Sequence, residues 1–142
     1  DMRRRMLARI DEIRPFAGAG DALQQLADQG IQLALLTSNT RDAARQVLGD
    51  ATLRLFHHEH CGTSMFGKRF KLRELLGTIR LRPAELACIG DEIRDADAAR
   101  AVGVAFIGVA WGYTHPAALQ PHSQRPLLQS LAGLPGVLAD FT

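Results

Sequence analysis

Short apolar runs alternate along the chain with stretches whose apolar residues recur every three or four positions. Arg3, Arg4 and Arg5 with Leu7, Ile10 and Ile13 have the spacing of an amphipathic helix with a solvated basic face, which Pro15 ends. Ala22, Leu23, Leu26 and Ala27 form a second helical stripe, entered through Gly18-Ala-Gly-Asp21 and closed by Gly30. Ile31 to Leu36 is almost continuously apolar and too brief for a typical helix, so it predicts a buried parallel strand. Asn39 or Thr40 then caps a helix carrying Ala43, Ala44, Val47 and Leu48, and Leu53 to Cys61 reads as a second strand region. Leu72, Leu75, Leu76 and Ile79 mark a helix over Phe70 to Ile79. A third strand, Leu86 to Ile89, ends in Gly90-Asp91, and a helix from Ile93 to Val102 closes on Gly103. Val104 to Ala110 is the fourth strand, and weak helix follows at Pro126 to Leu131 and near Leu138.

Strand and helix thus alternate without hairpin signals, which predicts an α/β fold with a doubly wound, Rossmann-like parallel sheet. In such sheets ligands bind in the crevice beyond the carboxyl ends of the strands. The polar residues at those ends are Thr37-Ser38-Asn39, Gly62 to Lys68, Gly90 to Asp95, and Trp111-Gly-Tyr113.

Composition removes several alternatives. The chain has 142 residues and a formal net charge of +2, and beyond the opening triplet its arginines are interspersed with acids, so no nucleic-acid partner is expected. No apolar stretch nears the roughly 18 residues of a membrane span, and no signal-peptide core opens the chain. The two cysteines, Cys61 and Cys88, set up no disulfide framework, and a reducing cytoplasm fits.

Three strand ends carry candidate chemistry. At Ile89-Gly-Asp-Glu-Ile-Arg-Asp95, Asp91 and Asp95 stand either side of a strand-to-helix junction. Mg2+ takes one or two carboxylates together with waters and phosphate oxygens, although acids at a helix start also simply favour its dipole. Thr37 and Ser38 offer hydroxyls and freed amides to a phosphate oxygen, or an ordinary cap. The only two of the 17 basic residues that are lysine, Lys68 and Lys71, fall together after the second strand region. A compact ammonium suits a transferring phosphoryl group as a point charge. Other features rank lower. His57-His-Glu-His-Cys61 alternates faces along a strand and lacks paired zinc spacing, and Gly18-Ala-Gly20 follows a proline where a dinucleotide loop would follow a strand.

Hydroxyl, lysine and carboxylate pair at successive strand ends resemble the second, third and fourth motifs of the haloacid dehalogenase (HAD) superfamily, in its phosphoglycolate-phosphatase-like branch. The resemblance covers nearly all of residues 14 to 115. It implies that Thr37, with Ser38 and Asn39, contacts phosphate, that Lys68 steadies a phosphoaspartate, that Asp91 binds Mg2+, and that Asp95 is a ligand or its neighbour. Trp111-Gly-Tyr113 is also similar to that branch. The implied reaction is hydrolysis of a small phosphorylated metabolite.

The family's first motif, Asp-x-Asp at the end of a central strand, is not found. Asp95-Ala-Asp97 lies in the fourth motif's helix, and Asp140-Phe-Thr142 lacks the second acid. The expectation is therefore an incomplete core domain over 14–142, lacking the nucleophile-bearing strand, with 1–13 as a remnant of a helical cap or linker. The opening on Asp1 hints at a longer reading frame, and truncation of a longer phosphatase is favoured over natural loss because losing a central strand would leave its neighbours unpaired. Unpaired backbone flanking a missing central strand is costly, so a separate amino-terminal segment or a second copy would complete the sheet. The rival reading is a noncatalytic HAD-like module that binds phosphate or a partner.

Overall fold

The computed structural model describes residues 6–9, 19–62, 67–110, 114–130, 133, 134 and 136. Among them, strands β1 (Met6–Arg9), β2 (Gln32–Leu36), β3 (His58–His60), β4 (Leu86–Gly90) and β5 (Ala105–Gly108) form one sheet in the order β3-β2-β1-β4-β5. Every pairing is parallel. The helices are α1 (Ala19–Asp28), α2 (Arg41–Leu48), α3 (Asp50–Leu53), α4 (Lys68–Ile79), α5 (Ile93–Ala101) and α6 (Pro116–Leu119).

Period-two alternation in the strands divides the core between the two faces of the sheet. Leu33, Leu35, Ala87, Ile89 and Ile107 pack with Leu23 and Leu26 of α1 on one side. Ala34, Leu36, Leu86, Cys88 and Phe106 pack with Leu72 and Leu75 of α4 and Ala96 and Ala99 of α5 on the other. Strands covered on both faces need apolar residues on both, which is why β2 and β4 read as unbroken runs. The α2 boundary is set locally: Thr40 Oγ1 accepts the Ala43 N–H at 3.1 Å, and Gly49, at φ 82°, ends the helix.

Three expectations change. Met6–Arg9 is a strand and not part of a helix, and it pairs with both β2 and β4. A strand therefore occupies the central place that was expected to be empty, although its sequence, Met-Leu-Ala-Arg, holds neither acid of the first motif. The second strand region shortens to His58–His60 because Asp50–Leu53 is helical. Over the described part of Pro126 to Leu131 no helix forms; Leu128 instead bridges to Val109 beside β5. Leu138, Trp111 and Tyr113 lie outside the described residues.

That carboxy-terminal segment covers the edge of β5 with side chains as well as backbone. Gln124 Oε1 accepts the Phe106 N–H at 2.7 Å, and Ser123 Oγ accepts the Gly108 N–H at 3.0 Å. The Leu128 N–H donates to Gly108 O at 2.9 Å. An exposed edge strand is a template for unwanted pairing, and these contacts occupy it.

Candidate active site

The carboxyl ends of β2 and β4 lie at the same height on the side of the sheet where such folds bind ligands. Arg9 pairs with Leu35 on one side and Ile89 on the other, and Thr37 and Asp91 each follow two residues later. With neighbouring strands about 4.8 Å apart, the two positions are separated by roughly 10 Å with one strand between them. The order of strands reverses at β1, so this is also the topological switch point.

Thr37 is fully buried. Its N–H donates to His60 O at 3.1 Å, and its Oγ1 accepts the Asn39 N–H at 3.1 Å, which folds Thr37-Ser38-Asn39 into a tight hydroxyl-closed turn. The Gly62 N–H donates to Asn39 O at 2.7 Å, tying the loop after β3 to the same turn.

Lys68 is the first residue of α4 and only 4% exposed. A cation at a helix amino terminus opposes the helix dipole, and a buried one needs a partner. Its Nζ donates to Asp95 Oδ1 at 2.8 Å across 27 residues of sequence, and Asp95 is 0% exposed. The other oxygen of that carboxylate, Oδ2, accepts the Glu92 N–H at 3.2 Å. Asp95 is thereby fixed from two directions at the start of α5.

Gly90 allows this approach. A Cβ there would lie 2.9 Å from Asp95 Oδ2 and 3.2 Å from Phe106 Cε1. Asp91, next in the chain, is 2% exposed, and its carbonyl accepts the Thr114 N–H at 3.2 Å. Cys88, three residues before Asp91, is fully buried; burial first, and then Asp95, push its thiol far above the ordinary cysteine range. It takes no part as a nucleophile.

The fold thus joins Lys68 to Asp95, places Asp91 four residues before Asp95, and sets Thr37 level with Asp91 across β1. The structure also brings forward two residues given no role from sequence. Glu92 is 6% exposed, and Arg94 Nε binds its carboxylate. The signal was present as Glu92-x-x-Asp95 at a helix start, a capping pattern. His57, His58 and His60 do not converge: His57 Nδ1 accepts the Leu33 N–H at 3.2 Å. Among the described residues no group of three or more His, Cys, Asp or Glu side chains is arranged to hold a metal. A cavity of about 380 Å³ lies between Arg41, Arg45, Arg54 and Glu59 at the β3 edge, and none of Thr37, Lys68, Asp91 or Asp95 lines it.

A parallel sheet wound in both directions from β1, with helices packed on both faces, defines a Rossmann-like α/β protein. Residues 2–109 match the family model described as haloacid dehalogenase-like hydrolase, and the chain belongs to that family. It is 35% identical over 105 residues to the phosphoglycolate phosphatase of Synechococcus elongatus, covering 73% of this chain and 50% of that protein. It is also 32% identical over 102 residues to the tyrosine-protein kinase PtkA of Mycobacterium tuberculosis, covering 69% and 35%. The cobalt-bound deoxy-D-mannose-octulosonate 8-phosphate phosphatase of Haemophilus influenzae superposes with a TM-score of 0.75 at 15% identity, covering 98% and 89%, a likeness of fold. The chain spans about half the length, or less, of the curated relatives it matches.

Proposed function

We infer that the chain is the core of a magnesium-dependent phosphate monoester hydrolase, phosphoglycolate-phosphatase-like, that works through a phosphoaspartate. The observation that carries this reading is the buried Lys68–Asp95 pair at 2.8 Å. An ion pair this deep adds little to stability compared with an apolar pair, so its presence at a ligand crevice points to function.

The donor set fits Mg2+. That ion asks for one or two carboxylates and fills its remaining positions with water and phosphate oxygens, so two buried acids suffice where a zinc site would need more protein ligands. Asp91 would hold it directly. Asp95, with one oxygen on Lys68 and the other on the Glu92 amide, would act chiefly by orienting Lys68 and lending charge. When bound, the cation would neutralise charge on the phosphoryl oxygens. Lys68 would add to that neutralisation, and Thr37 with the Ser38 amide would orient the transferring group.

The attacking aspartate comes from outside the described strands. Among the described residues Met6–Arg9 is the strand that lies between β2 and β4, so an Asp-x-Asp strand from elsewhere in a longer protein, or from a second copy, would take the place of β1. The cytoplasm and a small phosphorylated metabolite suit this reading. Assays with an aryl phosphate separate the possibilities. The 142-residue chain is expected to bind phosphate with Mg2+ without turnover, and a longer gene product carrying Asp-x-Asp is expected to hydrolyse the ester. Turnover by the chain alone would refute an external nucleophile. A proven full-length chain that binds without turnover would favour a noncatalytic module, the reading supported by the acid-free sequence of β1.

A further inference from the structure

Asp91, Glu92 and Asp95 place three carboxylates within five residues, at 2%, 6% and 0% exposure. One of them has no duty in the reaction. Glu92 precedes the first turn of α5, and its carboxylate is held by Arg94 Nε rather than by Lys68. A buried acid with no cation beside it would be strongly unfavourable, and its charge would add to the field at Asp91. Lys68 and Arg94 together leave the cluster one negative charge in excess; without Arg94 the excess is two.

Resting on the reading of Asp91 as the cation-binding acid, we propose that Glu92 and Arg94 are a positioning pair that sets the balance between divalent-cation and phosphate affinity at this site. Arg94 Nε binds the Glu92 carboxylate and offsets its charge beside Asp91 in the chain. More negative charge favours the cation and disfavours phosphate; more positive charge does the reverse. A residue serving only to stabilise α5 would change both affinities in the same direction through loss of structure.

The test is calorimetric titration of the 142-residue chain with MgCl2, and separately with inorganic phosphate in saturating Mg2+. Arg94→Gln is expected to tighten Mg2+ binding and weaken phosphate binding, each by roughly threefold or more. Glu92→Gln is expected to shift both affinities the opposite way, and Arg94→Lys, which keeps the charge, to stay near wild type. The double variant Glu92→Gln/Arg94→Gln is expected to return toward wild type. Affinities that move together in the single variants, or not at all, overturn the proposal while leaving the site reading intact. Failure of the wild-type chain to bind Mg2+ overturns both.

Discussion

Lys68 and Asp95 hold each other out of water, and their substitution should show it. Lys68→Met leaves a carboxylate at 0% exposure without its cation and is expected to lower stability by about 3–5 kcal/mol in denaturant unfolding. The double variant Lys68→Met/Asp95→Asn should lose clearly less than the sum of the two single variants, because neither buried charge is then left behind. Gly90→Ala brings a methyl group to within 2.9 Å of Asp95 Oδ2, a closeness real Cβ atoms essentially never show. The Asp95 carboxylate must move and take Lys68 with it, so Mg2+-dependent phosphate binding should fall at least tenfold in a titration while the chain remains folded. Thr37 and Asp91 could be singled out as candidates because each directly follows a buried strand, and Lys68 and Asp95 because they open the helices beyond the strand ends. Glu92 showed only a capping pattern with Asp95, and Arg94 gave no signal until the burial of Glu92 and its pairing with Arg94 were seen.

At the scale of single elements, most boundaries follow from caps and periodicity. Thr40→Ala removes the cap of α2 and is expected to cost about 1 kcal/mol, read from the unfolding midpoint. Strand β1 escaped the sequence because Met, Leu, Ala and Arg all favour helices and Leu7, Ile10 and Ile13 recur at helical spacing. Pairing along both edges overrides that preference, as tertiary context does for strands. The helix α3 was hidden for the opposite reason, as four residues are too few to display a period. Strand β3 makes a pH prediction. Burial first, then His57 and His60, lower the pKa of His58 below its ordinary 6.5. The folded state therefore favours neutral His58, so its contribution to stability is present above about pH 6.5 and is lost as pH falls through the lower folded-state value. Unfolding midpoints between pH 7 and 5 should decline less in His58→Gln than in the wild type.

Across the whole molecule, the parallel α/β character was readable from alternation alone, whereas the central place of β1 in the sheet and the way the carboxy-terminal segment closes the β5 edge were not. That closure depends on Gly108, where a Cβ would lie 2.6 Å from Leu127 Cδ2 and 2.9 Å from Leu119 Cδ2. Gly108→Ala is expected to cost about 1–3 kcal/mol through overpacking and to raise amide exchange at Phe106 and Gly108, whose N–H groups the segment covers. The site lies at the carboxyl ends of β2 and β4 and depends on the sheet holding Thr37 level with Asp91. The central claim is that these residues and the Lys68–Asp95 pair form one pocket for phosphate and a divalent cation. Backbone amide NMR of the 142-residue chain, titrated with inorganic phosphate in the presence and absence of Mg2+, addresses it most directly. Amides of Ser38, Asn39, Lys68, Asp91 and Glu92 are predicted to shift together, only with Mg2+ present, and not at all in Asp91→Asn. Shifts confined to the arginines around Arg41 and Arg54, or unchanged by Mg2+, would contradict the account.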